Sequence, residues 1–334
     1  MNKLKIGCFG SNGHQIWDEL TQLPEGEVIA VGGISSDRLS KLPAEVHVYD
    51  TYEELLQHPG LQLISLCSPI RAQQFAHICA ALHAGLHVYA EKPMVMQSEQ
   101  LAEVLHLAQR LKLHIREMAP TAYESPYHTM HQMVERGTIG QVVQFYAQKS
   151  YPYAAWRPQD EAVDGGLMLQ AGIHLVRAIE RVTGQLVAAI SATQTKIGNP
   201  HPDGHLHMAS NLHIQLENGA IGVAAINYLN VASSDVWGND RLTIFGSQGY
   251  MEWSAQTNQV RVYTDAGKQE INCLAEKSPT HFRQFVQEIQ GQAHRLMPVE
   301  QELHPLRVIL TARQSAQSQS VFIPTIHEFQ KECR

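Results

Sequence analysis

The sequence predicts an α/β fold in two domains, and three observations predict it. Its 334 residues exceed what one hydrophobic core usually serves, and a 44% apolar content can fill two. Up to about residue 120, short apolar runs alternate with amphipathic segments, the pattern of a parallel sheet joined by crossover helices. After residue 140 the texture changes to strand-like runs separated by turn residues.

In chain order, the first-half runs are LKIGCFG, EVIAVGG, EVHVY, LQLISLC, LHVYAE and LHIREM, each but the last followed by a helical pattern. RAQQFAHICAALHAG places Phe75, Ile78, Cys79 and Leu82 on one helical stripe and ends at Gly85. The second half offers the strands VVQFYAQ, HMASNLHIQLENGAIGVAAINYL with ENGA as a hairpin turn, RLTIFGSQGYMEW and QVRVYT. A helical pair, SPTHFRQFVQEIQG and LHPLRVILTARQSAQSQ, closes the chain.

Composition excludes several classes. Lys plus Arg number 25 against 32 for Asp plus Glu, a net charge of −7 without long like-charge runs, so the electrostatic footprint of nucleic-acid binding is missing. No stretch has the apolar length of a membrane span, and MNKLKIGCFG enters a strand pattern without a signal-peptide core, so the expected location is the cytoplasm. Cys8, Cys67, Cys79, Cys273 and Cys333 are odd in number and form no CxxC pair, which fits reduced thiols. Of 19 histidines, His201, His205, His207 and His213 share one short segment, and His205 and His207 would share a strand face. Three or four converging ligands are missing from the spacing, so these read as exposed histidines and no metal is expected.

The first chemical signal is IGCFGSNGHQ, with Gly7, Gly10 and Gly13 closing the first strand and opening a helix, where a dinucleotide pyrophosphate meets helix amides. Aligned on Gly10, a GxGxxG fingerprint would want glycine at 12 and 15, where this chain has Asn12 and Gln15. Asn tolerates a left-handed backbone, so a tight turn at 12 survives, whereas Gln15 would loosen helix-to-strand packing. Gly10, Ser11, Asn12, Gly13 and His14 are the candidate cofactor contacts; a glycine turn that holds no nucleotide is the alternative. The second strand ends in VGGISSDRLS, where Ser35, Ser36 and Arg38 suit a 2′-phosphate and favour NADP(H) over NAD(H). Asp37 is either a ribose-binding acid or a helix cap.

The second signal is HVYAEKPM, which puts Glu91, Lys92 and Pro93 at the carboxyl end of the fifth strand, where open parallel sheets bind ligands. Pro93 is expected to hold Lys92 extended. A lysine there anchors a substrate hydroxyl beside a nicotinamide, and its charge favours the alkoxide that develops as hydride leaves carbon. In the third stretch, DGGLMLQAGIHLVR, Gln170 and His174 stand i,i+4 on one helix face.

Taken in order, the glycine-rich turn, SP after the fourth strand, AGLHVYAEKPM, ERGTIGQV, GGLMLQAGIHL, LENGAIG, IFGSQG and the terminal helices make a pattern that resembles the Gfo/Idh/MocA family over essentially the whole chain. That family is named for glucose-fructose oxidoreductase, inositol dehydrogenase and a rhizopine-catabolism protein. The resemblance implies a Rossmann doubly wound domain over 1–122 and, over 123–334, an α/β domain with a large open, mainly antiparallel sheet for substrate binding and oligomerisation. It implies NAD(H) or NADP(H), a sugar, cyclitol or related polyol as substrate, and a homodimer or homotetramer joined through the open sheet, because an uncovered apolar face asks for a partner. Ser68, Pro69, Glu91 and Lys92 join the expected cofactor contacts.

The family pattern GGxxxDxGxHxxD, laid on this chain, puts its first Asp at Gln170, its His at His174 and its last Asp at Arg177. Lys92 and His174 are thus the expected catalytic groups, with Gln170 beside them; an amide cannot titrate, so Gln170 only orients. Where relatives read TPNxxH this chain has Ser68, Pro69, Ile70 and roughly Gln73, and where some read mEAxxxRxxP it keeps Glu117 and Pro126 but has Tyr123. KSYPYAAWRP adds Lys149, Tyr151, Tyr153, Trp156 and Arg157, a mix of aromatic faces and donors suited to a polyhydroxylated ring, with Trp237 a weaker candidate. These exchanges mark either an oxidoreductase tuned to an unusual substrate or a nucleotide-binding sensor without catalysis.

Overall fold

The computed structural model describes residues 3–17, 24–273, 280–294, 296–318 and 323–324. The chain forms two compact units, Met1–Pro120 with Ala162–Gly165 and Ser278–Leu303, and Thr121–Glu161 with Gly166–Lys277 and His304–Arg334. The main crossing at Pro120 lies close to the division expected at residue 122, but two later segments return to the first unit, so neither unit is one continuous span.

In the first unit six parallel strands, β1 (Leu4–Phe9), β2 (Gly26–Gly32), β3 (His47–Tyr49), β4 (Leu63–Leu66), β5 (His87–Glu91) and β6 (Ile115–Met118), stand in the order β3-β2-β1-β4-β5-β6. Ile6, Cys8, Leu63, Ile64, Val88 and Ala90 are wholly buried, as a parallel sheet covered on both faces requires. The order reverses between β1 and β4, and this switch point opens the crevice in which such sheets bind ligands. The helix expected after the glycine turn falls mostly on 18–23, outside the described residues.

Helix Gln74–His83 buries Gln74, Ile78, Ala81 and Leu82, while Phe75 and Cys79 are only half-buried. The expected stripe is therefore rotated toward a polar residue, because the Gln74 amide finds carbonyl partners inside. Helix His281–Ile289 returns to this unit because Phe282 and Phe285, both fully buried, lie 4.9 and 5.6 Å from the Tyr89 ring of β5.

The second unit holds β7 (Val142–Pro152), β8 (Val187–Thr195), β9 (Ala209–Leu216), β10 (Ile221–Asn230), β11 (Arg241–Gly246), β12 (Gly249–Ser254), β13 (Gln259–Thr264), β14 (Gly267–Asn272) and the two-residue β15 (Ile323–Pro324). Their order is β14-β13-β12-β11-β7-β10-β9-β8-β15, antiparallel except for β7 with β10. Phe145, Ala147, Leu212, Ile214, Ala224 and Ile226 alternate inward, while Tyr146, His213, Ile221 and Val223 point to the open face. The ENGA segment makes the expected hairpin between β9 and β10, with Gly219 at φ +87°. His205 and His207 precede β9 and lie in a loop, so they share no strand face; only His213 is in a strand. Among the described residues, no three His, Cys, Asp or Glu converge as metal ligands, and no helix is long and apolar enough to cross a membrane.

Candidate active site

The glycine-rich turn is shaped by close approach. Gly10, at φ +74°, faces the Cys67 carbonyl so closely that a Cβ would overlap it, and at Gly13, φ +131°, a Cβ would lie 2.5 Å from the Glu91 carboxyl carbon. Asn12 does not take the left-handed turn expected of it, because these glycines do. Its side-chain amide instead donates to the carbonyls of Pro69 at 2.9 Å and Val163 at 3.1 Å. Gln15 fastens the turn rather than loosening it: its amide donates to the carbonyls of Gly10 (3.2 Å) and Ser65 (3.3 Å), and its oxygen accepts from the Ser65 hydroxyl.

The turn's amides are largely spoken for. Those of Asn12, Gly13 and His14 donate to Cys67 O (3.4 Å), Ser11 O (3.1 Å) and Glu91 Oε2 (2.8 Å). Ser11 is exposed, and although its carbonyl accepts from Gly13, its amide and hydroxyl have no hydrogen-bond partner among the described residues and stand open to a phosphate. Beyond β2, Ser35, Ser36 and Arg38 are exposed at the short helix Ser36–Leu39; Asp37 is committed to Lys41 at 2.9 Å, while the Arg38 guanidinium has no side-chain partner among the described residues. This donor set fits a phosphorylated ribose, and the turn at the switch point fits a dinucleotide.

Glu91, 1% exposed, ends β5 beside that turn, Lys92, 4% exposed, follows it, and the Lys92–Pro93 bond is cis. Burial would raise the Glu91 carboxyl, but the hydrogen bond from His14 Nδ1 at 3.0 Å and the charges of Lys92 and Arg71 outweigh it and hold the group below the usual carboxylate range. Ser68 is wholly buried, its hydroxyl 2.8 Å from His77 Nδ1.

In the second unit, Gln170 lies in a π-helical turn, Met168–Gly172, that runs into helix Ile173–Thr183. Such turns recur at functional sites. Gln170 and His174 are half-buried while Met168, Leu169, Ala171, Gly172, Ile173, Leu175 and Val176 are buried, so the pair does share the accessible face. Gly172 lets this helix sit tight, since a Cβ there would come within 2.6 Å of Ile309. The Thr121 hydroxyl lies 2.8 Å from His174 Nδ1 and orients the ring. Arg177, where the family pattern has its last Asp, is buried.

Of the loop residues, Tyr123, Tyr151 and Tyr153 are half-buried, and Trp156 is 73% exposed. Arg157 is buried, with its guanidinium 4.0 Å above the Tyr228 ring and a 3.2 Å bond to that hydroxyl, so its donors turn inward. Lys149 is neutralised by Asp240 at 2.5 Å beneath Tyr151, which pairs with Trp237. Burial lowers the Lys149 ammonium, yet Tyr151, Tyr127 and Asp240 hold it above the ordinary lysine value. Sequence reading missed Thr121, Asp240, Arg71 and Gln74. A signal existed only for Gln74, which stands i−4 and i−8 to the buried Ile78 and Leu82.

Comparisons with known proteins identify both halves of the chain. Residues 4–117 match an oxidoreductase family with an NAD-binding Rossmann fold, and 127–252 match a GFO/IDH/MocA C-terminal domain. A dTDP-3,4-didehydro-2,6-dideoxy-α-D-glucose 3-reductase of Saccharopolyspora spinosa is 22% identical over 241 residues, 70% of this chain and 71% of that one. A trans-1,2-dihydrobenzene-1,2-diol dehydrogenase of Xenopus laevis is 25% identical over 170 residues, 49% of this chain and 51% of its own. The crystal structure of an oxidoreductase from Thermotoga maritima shares the fold with a TM-score of 0.80 at 21% identity, covering 97% of this chain and 99% of that one.

Proposed function

This chain belongs to the Gfo/Idh/MocA family of oxidoreductases, and from that premise we propose that it transfers a hydride between a nicotinamide cofactor and a hydroxyl or carbonyl carbon of a sugar, cyclitol or related polyol. The observation that carries the reading is Lys92, a lysine 4% exposed at the carboxyl end of β5, next to a carboxylate held ionised. The sugar reductase and diol dehydrogenase among the relatives support the substrate class.

Ser11 with the glycine turn would hold the pyrophosphate, and Ser35, Ser36 and Arg38 a 2′-phosphate, so NADP(H) is the proposed cofactor. When bound, it supplies or accepts the hydride. Lys92 steadies the substrate oxygen as negative charge develops on it. His174, oriented by Thr121 on Nδ1, exchanges the hydroxyl proton through Nε2. Gln170 orients the same substrate by hydrogen bonds, and Tyr123, Tyr151, Tyr153 and Trp156 present faces and hydroxyls to the ring. The proposed location is the cytoplasm, on the odd cysteine number and the lack of a CxxC pair in the sequence.

The internally bonded amides of Asn12, Gly13 and His14, with an amide at Gln170, favour one second reading, a nucleotide-binding sensor. Purified protein given NADP+ or NADPH with D-glucose, D-galactose, myo-inositol and their keto forms decides between them. A change at the reduced-nicotinamide absorbance supports the enzyme; calorimetric cofactor binding without turnover supports the sensor. Arg38→Ala raises the calorimetric Kd for NADPH about 10-fold, the loss of one charge-assisted hydrogen bond, and leaves NADH nearly unchanged. Equal weakening of both would refute the NADP(H) preference.

We also propose that a second copy of the chain covers the open sheet face, where Tyr146, Ile221 and Val223 are 47%, 54% and 40% exposed. The double variant Tyr146→Lys, Val223→Lys should be monomeric by light scattering. A monomeric parent protein refutes the interface.

A further inference from the structure

We propose that Arg71 and Gln74 are positioning residues that hold the Lys92 turn and the glycine-rich turn in one frame. The proposal rests on Lys92 being the charged group of the reaction.

Gln74 is wholly buried at the first turn of its helix. Its amide nitrogen lies 2.6, 3.1 and 3.2 Å from the carbonyl oxygens of Glu91, Pro93 and Met94, so it grips the backbone on both sides of Lys92. Its oxygen accepts from Arg71 Nη1 at 2.5 Å and from the Ser68 amide at 3.3 Å. The other end of the Arg71 guanidinium donates to the Asn12 carbonyl at 2.5 Å. One continuous line of hydrogen bonds thus runs from the glycine turn through Arg71 and Gln74 to the Lys92 turn. The line is pinned from outside at its middle, where the Arg71 amide donates to the Val163 carbonyl at 2.9 Å, and at its Lys92 end, where the Met94 amide donates to Glu117 Oε1 at 2.7 Å.

Packing alone does not ask for these residues. Arg71 is 1% exposed, and Gln74 shares its helix face with Ile78, Ala81 and Leu82. A buried guanidinium and amide cost desolvation that an apolar side chain would avoid. Arg71 Nε is left without a partner among the described residues, but the Nη1 and Nη2 bonds keep the line unbroken. What an unbroken polar line provides is a single geometry, and misplacing a reacting group by about 1 Å costs on the order of 100-fold in rate.

The test is a double-mutant cycle on single-turnover hydride transfer, with NADP+ or NADPH and the compound of the panel above that turns over fastest. Gln74→Met should slow transfer about 30-fold or more while the fluorescence Kd for NADPH moves less than about threefold, and Gln74→Met in a Lys92→Ala background should add nothing further. Additive losses in the double variant would overturn the proposal, because Gln74 would then act without Lys92. A slow Lys92→Ala with a normal Gln74→Met overturns the positioning role alone, whereas a normal Lys92→Ala overturns the reading of Lys92 itself. Gln74→Asn, whose shorter amide cannot span the same carbonyls, replaces Gln74→Met if the latter does not fold. Protein labelled with [ε-13C]lysine gives a readout without any substrate. The Lys92 resonance, assigned by its loss in Lys92→Ala, should move in both Gln74→Met and Arg71→Met, and an unmoved resonance overturns the proposal.

Discussion

Lys92→Ala lowers single-turnover hydride transfer by about 100-fold or more, the loss expected when a preorganised charge no longer meets a developing alkoxide. The lysine is 4% exposed, so solvent cannot replace it. His174→Asn, which keeps a polar side chain but removes the titrating ring, slows transfer by a similar factor of roughly 100. Gln170→Ala acts mainly on substrate affinity, since an amide orients but carries no proton. Gln170→Asp restores a titratable group where the family pattern has one and raises turnover of ordinary polyols. Stopped-flow traces at the nicotinamide band, using the fastest compound of the panel, check all four. Rates at the parent level in both Lys92→Ala and His174→Asn would place the chemistry elsewhere.

Arg116→Ala should be the most destabilising single change in the first unit. Arg116, 2% exposed, donates to Glu288 at 3.0 and 2.7 Å, to Glu302 at 2.9 Å and to the Met297 carbonyl at 2.8 Å. Glu302 also lies 3.1 Å from His281 Nε2, whose Nδ1 is 2.9 Å from the Tyr89 hydroxyl. Removing the guanidinium strands the buried Glu302 carboxylate and takes the main partner of the half-buried Glu288, a loss of about 3–5 kcal/mol, or roughly 10 °C in Tm. Burial raises the Glu288 carboxyl, but hydrogen bonds from His114 and Arg116 and their charges bring it down to about 2 from an ordinary 4.5. A depressed carboxyl contributes its stability above the unfolded value and loses it as pH falls. The contribution, about 3 kcal/mol, is therefore complete above about pH 5 and lost as pH falls toward 2. Glu288→Gln should flatten this acid limb in calorimetry; an unchanged limb, or an Arg116→Ala Tm within about 2 °C of the parent, refutes the account.

Much of the architecture was legible because period and punctuation are local. Alternating apolar and amphipathic segments gave away the parallel sheet, and turn-separated alternation gave away the second one, since a strand's covered face must be written into its own residues. The placement of Lys92 at the end of β5, and of Gln170 and His174 on one accessible helix face, was legible because each sits in a short motif whose neighbours dictate the local turn. The glycine turn was legible in place but not in detail. Which glycine turns left-handed depends on the Cys67 carbonyl and the Glu91 carboxyl arriving from more than 50 residues away, and no local pattern encodes that approach.

The sequence by itself determined the two sheets, the family pattern and the places of the motif-borne Lys92, Gln170 and His174 in the fold, all consequences of side-chain periodicity and nearest-neighbour backbone preference. Only the tertiary structure decided which polar groups are partnered. Gln15 ties down the turn it seemed to loosen, Arg157 folds inward onto Tyr228, Lys149 is cancelled by Asp240, and helix His281–Ile289 returns to the first unit. Burial makes each of these choices, because a polar group removed from water must find its partner wherever the fold brings one, at any distance along the chain.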